Sequence, residues 1–190
     1  MQYLATNDLP IIEEEEATDE VAEIYADLKR ELQLPIVPNM MKALAGSPAA
    51  LAIHWGFTRA FYENTTLPQS LTSMILYTIA ETGNCEYCSA GHELTCRTLG
   101  IDEETLSTLV EDIGNVSPQR IAAIIEFALK ASHDPQGLVA EDYDRVREQG
   151  VTDEELVEII LIAAIGNYSD TLADALKIEV ESMVTEALGR

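Results

Sequence analysis

Residues 84–92 read Asn-Cys-Glu-Tyr-Cys-Ser-Ala-Gly-His, and this stretch, NCEYCSAGH, decides how the rest of the chain is interpreted. It follows an apolar helical segment that ends at Gly83–Asn84, so it begins a new helix that Asn84 is placed to cap. Cys85 falls in the first turn, where unpaired backbone N–H groups and the helix dipole favour a thiolate. Cys88 follows one turn later, close enough for a disulfide with Cys85. The spacing predicts a redox-active dithiol at a helix start.

His92 adds a proton-handling group to the two cysteines. It lies four residues after Cys88, so the two side chains are neighbours on one helix face. Imidazole titrates near neutrality and can exchange a proton with a thiol. A thiol, a partner thiol and a base within two turns suit peroxide reduction or thiol–disulfide exchange.

A zinc site is the main alternative for these residues, because Cys96 extends the pattern to C-x2-C-x3-H-x3-C. Cys88 and Cys96 are eight residues apart on one helix, so their backbones are about 12 Å apart, too far for one tetrahedral ion. A three-ligand site of Cys85, Cys88 and His92 stays open, as does chance packing of buried cysteines. A thioredoxin-like fold is disfavoured because the strands it needs are missing.

Helical periodicity extends over the whole chain. Apolar residues recur at helical spacing after Thr18, and further helix starts are marked by Ser47–Pro48, Pro68, Asp102, Ser117–Pro118 and the capping box that begins at Thr152. Helix ends are predicted at Gly100, at Gly150 and at Gly166–Asn167. No segment reads as a convincing strand. We therefore predict an all-α helical bundle, with an N-terminal arm at residues 1–17 and one domain at residues 18–190.

Charge excludes several classes of partner. The chain has 190 residues, of which 34 are acidic and 11 basic, for a net charge of −23. It lacks a basic cluster, so binding to nucleic acid or to anionic membranes is not expected. No basic and apolar leader is visible, and the longest apolar run, from Ile159 to Ile165, is far shorter than a membrane span. We expect a cytoplasmic protein, where thiols stay reduced.

The sequence resembles the AhpD-like alkylhydroperoxidases of the carboxymuconolactone decarboxylase superfamily. C-x-x-C-x-x-x-H at the start of a helix is typical of this group, and NCEYCSAGH is close to its usual wording. Residues 37–51, the Leu67–Pro68 helix start, Leu99–Gly100 and residues 127–160 read like its peroxidase-related branch. The resemblance covers about residues 8–180. It implies an AhpD-like helical bundle, a homo-oligomer and reduction of a hydroperoxide, without a cofactor. An external dithiol or lipoyl-type reductant would restore the thiols.

The resemblance also implies individual roles. Cys88 matches the cysteine that attacks the peroxide, Cys85 the one that resolves the sulfenate into a disulfide, and His92 the proton relay. The helix dipole argues for the opposite order, because it favours a thiolate on Cys85. Cys85, at the helix start, is expected nearer the surface, within reach of a bulky reductant.

One position departs from the family pattern. The glutamate that usually lies twelve residues before the first cysteine is Ser73 here. A serine hydroxyl can hold a water but is no base near neutral pH. Glu81, four residues before Cys85, is a candidate substitute, and an exposed carboxylate at the helix end is the competing interpretation.

Other interpretations stay open. An apolar segment ending in Gly-Asn occurs twice, at residues 71–84 and 156–167; if the two are related, Tyr168 and Asp170 face the cysteines. His54 is interpreted as a packing residue. In place of a peroxidase, the chain could be a non-catalytic redox sensor or scaffold oligomer, or a carboxymuconolactone-decarboxylase-type lyase, although that branch does not need C-x-x-C.

Overall fold

The structure is a computed structural model that describes residues 2–3 and 9–190. Within these residues it contains ten α-helices and two two-residue strands, which confirms the all-α fold class. The strands β1 (Gln2–Tyr3) and β2 (Pro10–Ile11) pair antiparallel. The helices are α1 (Asp19–Leu32), α2 (Asn39–Leu44), α3 (Pro48–Asn64), α4 (Gln69–Gly83), α5 (Glu86–Thr98), α6 (Glu103–Glu111), α7 (Gln119–His133), α8 (Ala140–Glu148), α9 (Asp153–Leu176) and α10 (Ser182–Leu188).

Several helices begin at the predicted caps. The Ser47 hydroxyl accepts a hydrogen bond from the backbone N–H of Ala50, and the Asp102 carboxylate accepts one from Thr105 at 2.7 Å. The capping box before α9 is formed: the Glu155 N–H donates to the Thr152 hydroxyl, and the Thr152 N–H donates to the Glu155 carboxylate at 2.8 Å. These side chains satisfy backbone donors that the helix itself leaves unpaired.

The chain forms two compact units. The first comprises residues 1–65 and 172–181, with α1, α2 and α3. Its core includes Leu28 and Leu51, both fully buried, and the Trp55 indole donates to Asp27 at 2.8 Å. His54 is buried there too, and burial lowers its pKa, which agrees with a packing role. Residues 1 and 4–8 of the predicted arm lie outside the described residues. The division into an arm and one domain stays a prediction.

The second unit carries the cysteines. It comprises residues 66–171 and 182–190, with α4 to α8, most of α9, and α10. Helices α4 and α5 are joined by a single tight turn and pack along each other. The core of this unit is built from fully buried aliphatic side chains on α4, α6, α7 and α9: Ile75, Ile79, Leu109, Ile124, Ile125, Ile159 and Ile162.

The predicted break at Gly166–Asn167 is wrong. Helix α9 continues from Asp153 to Leu176, and the chain leaves it at Lys177, which has a positive φ of 56°. A Cβ atom at Gly166 would lie 2.9 Å from Cγ2 of Ile79 on α4, so glycine is required for close packing of α9 on α4. The Ser132 hydroxyl donates a hydrogen bond to the side-chain oxygen of Asn167 at 2.7 Å, and the side-chain nitrogen of Asn167 donates one to the backbone carbonyl of Ser132 at 2.8 Å. Gly166 and Asn167 therefore hold α9 against α4 and α7 instead of ending the helix.

Because α9 is uninterrupted, it is longer than the apolar run on which the expectation about membrane spans rests. By length and composition it is the one helix among the described residues that could cross a membrane, with a mean hydropathy of 1.4 over its best 18-residue window. Core helices of soluble proteins meet the same criterion, and α9 packs on α4 and α7 through Gly166 and Asn167. Its length does not by itself indicate a membrane protein.

Candidate dithiol site

The turn between α4 and α5 places the two cysteines. Asn84 adopts a left-handed conformation (φ 58°) and ends α4, so it is not the N-cap of α5 as predicted; Cys85 holds that position. The Cys85 N–H donates to the Ala80 carbonyl at 3.0 Å, and the Cys85 carbonyl accepts from the Ser89 N–H at 2.9 Å. These two hydrogen bonds fix the backbone of Cys85 at the start of the helix, where the dipole favours negative charge.

Both motif cysteines are buried, and no disulfide joins them in this structure. Cys85 is 0% exposed and Cys88 is 6% exposed. The expectation that Cys85 lies nearer the surface is therefore wrong, because the turn that exposes Asn84 and Glu86 on either side points the Cys85 side chain inward. In this structure a bulky reductant has no direct access to the Cys85 sulfur.

A third group, Asp170, completes the site. Its carboxylate and the two sulfur atoms all lie within 4.8 Å of one another. Asp170 follows Asn167 by one helical turn, so the packing of Gly166 and Asn167 that positions α9 also positions this carboxylate. A Cβ atom at Gly83 would lie 3.2 Å from Oδ2 of Asp170, so glycine at the end of α4 leaves room for it. Sequence reasoning raised Asp170 only through a helix break that does not exist.

The pKa of Cys88 is raised far above its usual range. The largest cause is the hydrogen bond that its thiol makes with Cys85, followed by burial, and the negative charge of Asp170 and a hydrogen bond to its side chain add to it. A thiolate is therefore disfavoured at Cys88 in the resting site. Cys88 needs a group that takes its proton when it reacts.

His92 is a neutral imidazole in this site. It lies four residues after Cys88 on α5, as predicted, and burial lowers its pKa to about 4. No charged group contributes to that shift. His92 is not part of the group formed by the two sulfurs and Asp170. Its role as a proton relay for Cys88 stays a prediction.

The lowered pKa of His92 predicts a dependence of stability on pH. The unfolded chain, with an ordinary histidine pKa near 6.5, binds a proton as the pH falls from 6.5 to 4, whereas the folded chain stays neutral at this residue. The free energy of unfolding should therefore decrease over this range, by about 2 kcal/mol from His92 after allowance for partial exposure. Urea unfolding of wild type and His92→Gln at pH 7 and pH 4 measures this. Equal losses of stability in both proteins would contradict it.

The two replacements considered for the family glutamate have separate positions. Glu81, in the last turn of α4, accepts a short hydrogen bond from the Ser89 hydroxyl and lies outside the group around the sulfurs. Ser73 is buried in α4. Neither is shown to act on a cysteine. The carboxylate that lies within 4.8 Å of both sulfurs is that of Asp170, on α9.

Cys96 and the metal alternative can be placed as well. Cys96 is fully buried, and burial, with the nearby charge of Glu93, raises its pKa to about 12, which makes it an unreactive thiol. The three-ligand set with His92 is not assembled. Among the described residues, Cys85, Cys88 and Asp170 are the one set of side chains close enough together to hold a metal ion, but a closed tetrahedral zinc site needs a fourth ligand.

Comparison with known proteins identifies the fold. No family model and no curated protein matches the chain. The AhpD core of an uncharacterized peroxidase-related protein from Ralstonia eutropha JMP134 superposes with a TM-score of 0.81 over 92% of each chain, at 21% identity. This chain has the AhpD-like fold. An uncharacterized peroxidase-related protein from Silicibacter sp. TM1040 gives a TM-score of 0.80 over 96% of this chain and 95% of that one, also at 21% identity.

A third structure with the AhpD-like fold has a different described activity. A cysteine-to-alanine variant of the debrominase Bmp8, in complex with 2,3,4-tribromopyrrole, superposes with a TM-score of 0.80 at 16% identity, over 99% of this chain and 98% of Bmp8. These superpositions establish the fold, as the sequence resemblance predicted. At these low identities they do not assign a reaction, which has to be argued from the residues of this chain. The AhpD-like fold of this chain carries a Cys-x-x-Cys pair at a helix start, in contact with a carboxylate.

Proposed function

We propose that this protein is a thiol peroxidase that reduces hydroperoxides through Cys85 and Cys88. The observation that carries this proposal is the pair of buried cysteines whose sulfurs lie within 4.8 Å of each other at the start of α5. A pair at that separation can form a disulfide after a small movement. The likeness in fold to two peroxidase-related proteins supports the same reading.

The reaction consists of three balanced steps. The Cys88 sulfur attacks one peroxide oxygen, the O–O bond breaks, and the products are a sulfenic acid and an alcohol. The Cys85 sulfur then attacks the sulfenic sulfur, forming a disulfide and releasing water. An external dithiol reduces this disulfide by two electrons and two protons and is itself oxidised to a disulfide. We propose that His92 assists proton movement as a neutral group, and that no cofactor is needed.

Homo-oligomerisation belongs to the proposal. Helix α9 carries large apolar side chains that are exposed in the single chain: Val157, 68% exposed, and Leu161, 48% exposed, on adjacent turns. Monomeric soluble proteins seldom leave such stripes in water. A second copy of the chain would cover this face.

The proposed activity predicts many turnovers and one specific disulfide. With a lipoamide-like or other small dithiol in excess, each protein chain should consume many equivalents of organic hydroperoxide. With stoichiometric peroxide and no reductant, non-reducing peptide mapping should recover Cys85 joined to Cys88. Cys96→Ser is the matched control and should behave as wild type, because Cys96 is buried away from the pair.

Two alternative functions can be distinguished from the proposed peroxidase by experiment. Oxidation that stops after one turnover with every dithiol and changes the elution volume would indicate a redox sensor. The likeness to Bmp8 favours a second candidate, reductive dehalogenation, in which a carbon–bromine bond is replaced by carbon–hydrogen while two thiols become a disulfide and bromide leaves. Brominated pyrroles should therefore be assayed beside peroxides, with bromide release as the readout.

A further inference from the structure

The Cys88 thiol lacks an obvious base. The group that the resemblance assigns to this task, His92, has its pKa lowered to about 4 by burial and is not grouped with the sulfurs. Glu81 is engaged by Ser89. The remaining acid–base group at the cysteines is a carboxylate on another helix.

We propose that Asp170 is a catalytic residue of this site: it accepts the thiol proton of Cys88 as the sulfur attacks the peroxide, and it delivers that proton to the leaving oxygen. The inference rests on the proposed function and names the proton carrier within it. Asp170 is half-buried, and its carboxylate lies within 4.8 Å of both sulfurs. The Cys88 thiol also forms a hydrogen bond with the Asp170 side chain, and a carboxylate bonded to a thiol in this way can accept its proton during the reaction.

The position of Asp170 is built by the fold. Gly166 permits α9 to lie against Ile79, the Asn167 side chain holds α9 to Ser132, and Gly83 leaves room for Oδ2 of Asp170. Three independent features of α4, α7 and α9 thus place one carboxylate beside the dithiol. Groups that act in proton transfer need this kind of fixed position, since the rate depends on hydrogen-bond geometry.

Asp170 carries the transferred proton in both steps. In the first step the Cys88 proton moves to Asp170 and then to the alkoxide that leaves as the O–O bond breaks, so an alcohol is released. In the second step the Cys85 sulfur attacks the sulfenic acid, and its proton moves through Asp170 to the leaving hydroxide, which departs as water. Asp170 returns to its starting state after each step.

A carboxylate beside a thiol has two opposite effects, and they can be separated. Its negative charge disfavours the Cys88 thiolate, so removal of the charge should release thiolate. As proton carrier it should speed a reaction whose leaving group needs a proton. Peroxide has such a leaving group. Iodoacetamide does not, because iodide leaves without one.

The test compares these two reagents at pH 7 in wild type, Asp170→Asn and Asp174→Asn. Asp174 lies one turn further along α9 and is exposed, so its variant is the matched control. Sulfenate formation and alkylation at Cys88 are measured by mass spectrometry. We expect Asp170→Asn to lower the peroxide rate by about 100-fold without slowing alkylation, and Asp174→Asn to change neither. Formate should restore part of the peroxide rate in Asp170→Ala.

Three results would reject this role. Equal peroxide rates in Asp170→Asn and wild type would show that another group carries the proton. Acceleration of both reactions would show that Asp170 only suppresses the thiolate, and equal slowing of both would show that it maintains access or structure. If wild type itself fails to react with peroxide, the proposed function falls and this role falls with it. A reactive wild type with an unaffected variant removes the role of Asp170 alone.

Discussion

Replacement of Cys88 by serine should lower the rate of reaction with peroxide by on the order of 10³-fold or more, because a serine hydroxyl is a far weaker nucleophile than a thiol. Replacement of Cys85 by serine should leave one round of reaction. The largest cause of the raised pKa of Cys88 is its hydrogen bond to Cys85. A serine hydroxyl in place of the Cys85 sulfur can donate a hydrogen bond to a Cys88 thiolate, so Cys88 should give up its proton more readily.

The two variants should also differ in their products. Without Cys85 the reaction should stop at a sulfenic acid on Cys88, which a dimedone-type reagent traps and mass spectrometry locates. Wild type should yield the disulfide and little trapped sulfenate. Burial supports this order, since Cys88 keeps 6% of its surface exposed and Cys85 none. A sulfenate on Cys85 in Cys88→Ser, formed at the wild-type rate, would reverse the assignment and make the helix dipole the dominant influence.

Substitution of Gly166 by alanine should destabilise the protein by about 1–3 kcal/mol, although alanine is the better helix former. The added Cβ atom would lie 2.9 Å from Cγ2 of Ile79, which is 1% exposed. Gly56, in the middle of α3, has nothing within 4 Å of such an atom. Gly56→Ala is therefore the matched control and should stabilise by about 0.5–1 kcal/mol.

Urea unfolding measures both changes, and a double-mutant cycle tests their cause. Ile79→Ala removes the methyl group that the new Cβ atom meets, so Gly166→Ala should cost less in that background than in wild type. Because the same contact positions α9, Gly166→Ala should also slow peroxide reduction, and Gly56→Ala should not. A stabilising effect of Gly166→Ala would show that α9 does not pack closely on α4.

Local sequence signals predicted the elements that they control directly. Helix starts at Ser47, Asp102 and Thr152 depend on a side chain that bonds a backbone N–H three residues ahead, so the residues themselves are sufficient evidence. The pairing of Cys85 with Cys88 at a helix start is local in the same sense. The apolar periodicity that gave the all-α fold is a property of each helix taken alone.

The sequence predicts helix boundaries wrongly where a residue's role is not set by its own type. Gly166–Asn167 has the composition of a helix end, and it lies within a helix because Ile79 on α4 occupies the space a side chain would need and Ser132 on α7 bonds the asparagine. Asn84 has the composition of an N-cap for α5, but it ends α4 in a left-handed conformation. The Gly166–Asn167 error concerns a contact between helices, whereas Asn84 has two possible local roles, N-cap and left-handed C-cap, between which the residue type alone does not decide.

By itself, then, the sequence determined an all-α chain with a dithiol at the start of one helix, because both depend on residues within a turn or two of each other. Tertiary structure alone decided that both sulfurs are buried, that burial holds His92 neutral, and that a carboxylate 82 residues after Cys88 completes the site. These properties are set by which helices pack together. No spacing along the chain encodes the approach of Asp170 to Cys88, since the packing of α9 on α4 and α7 creates it.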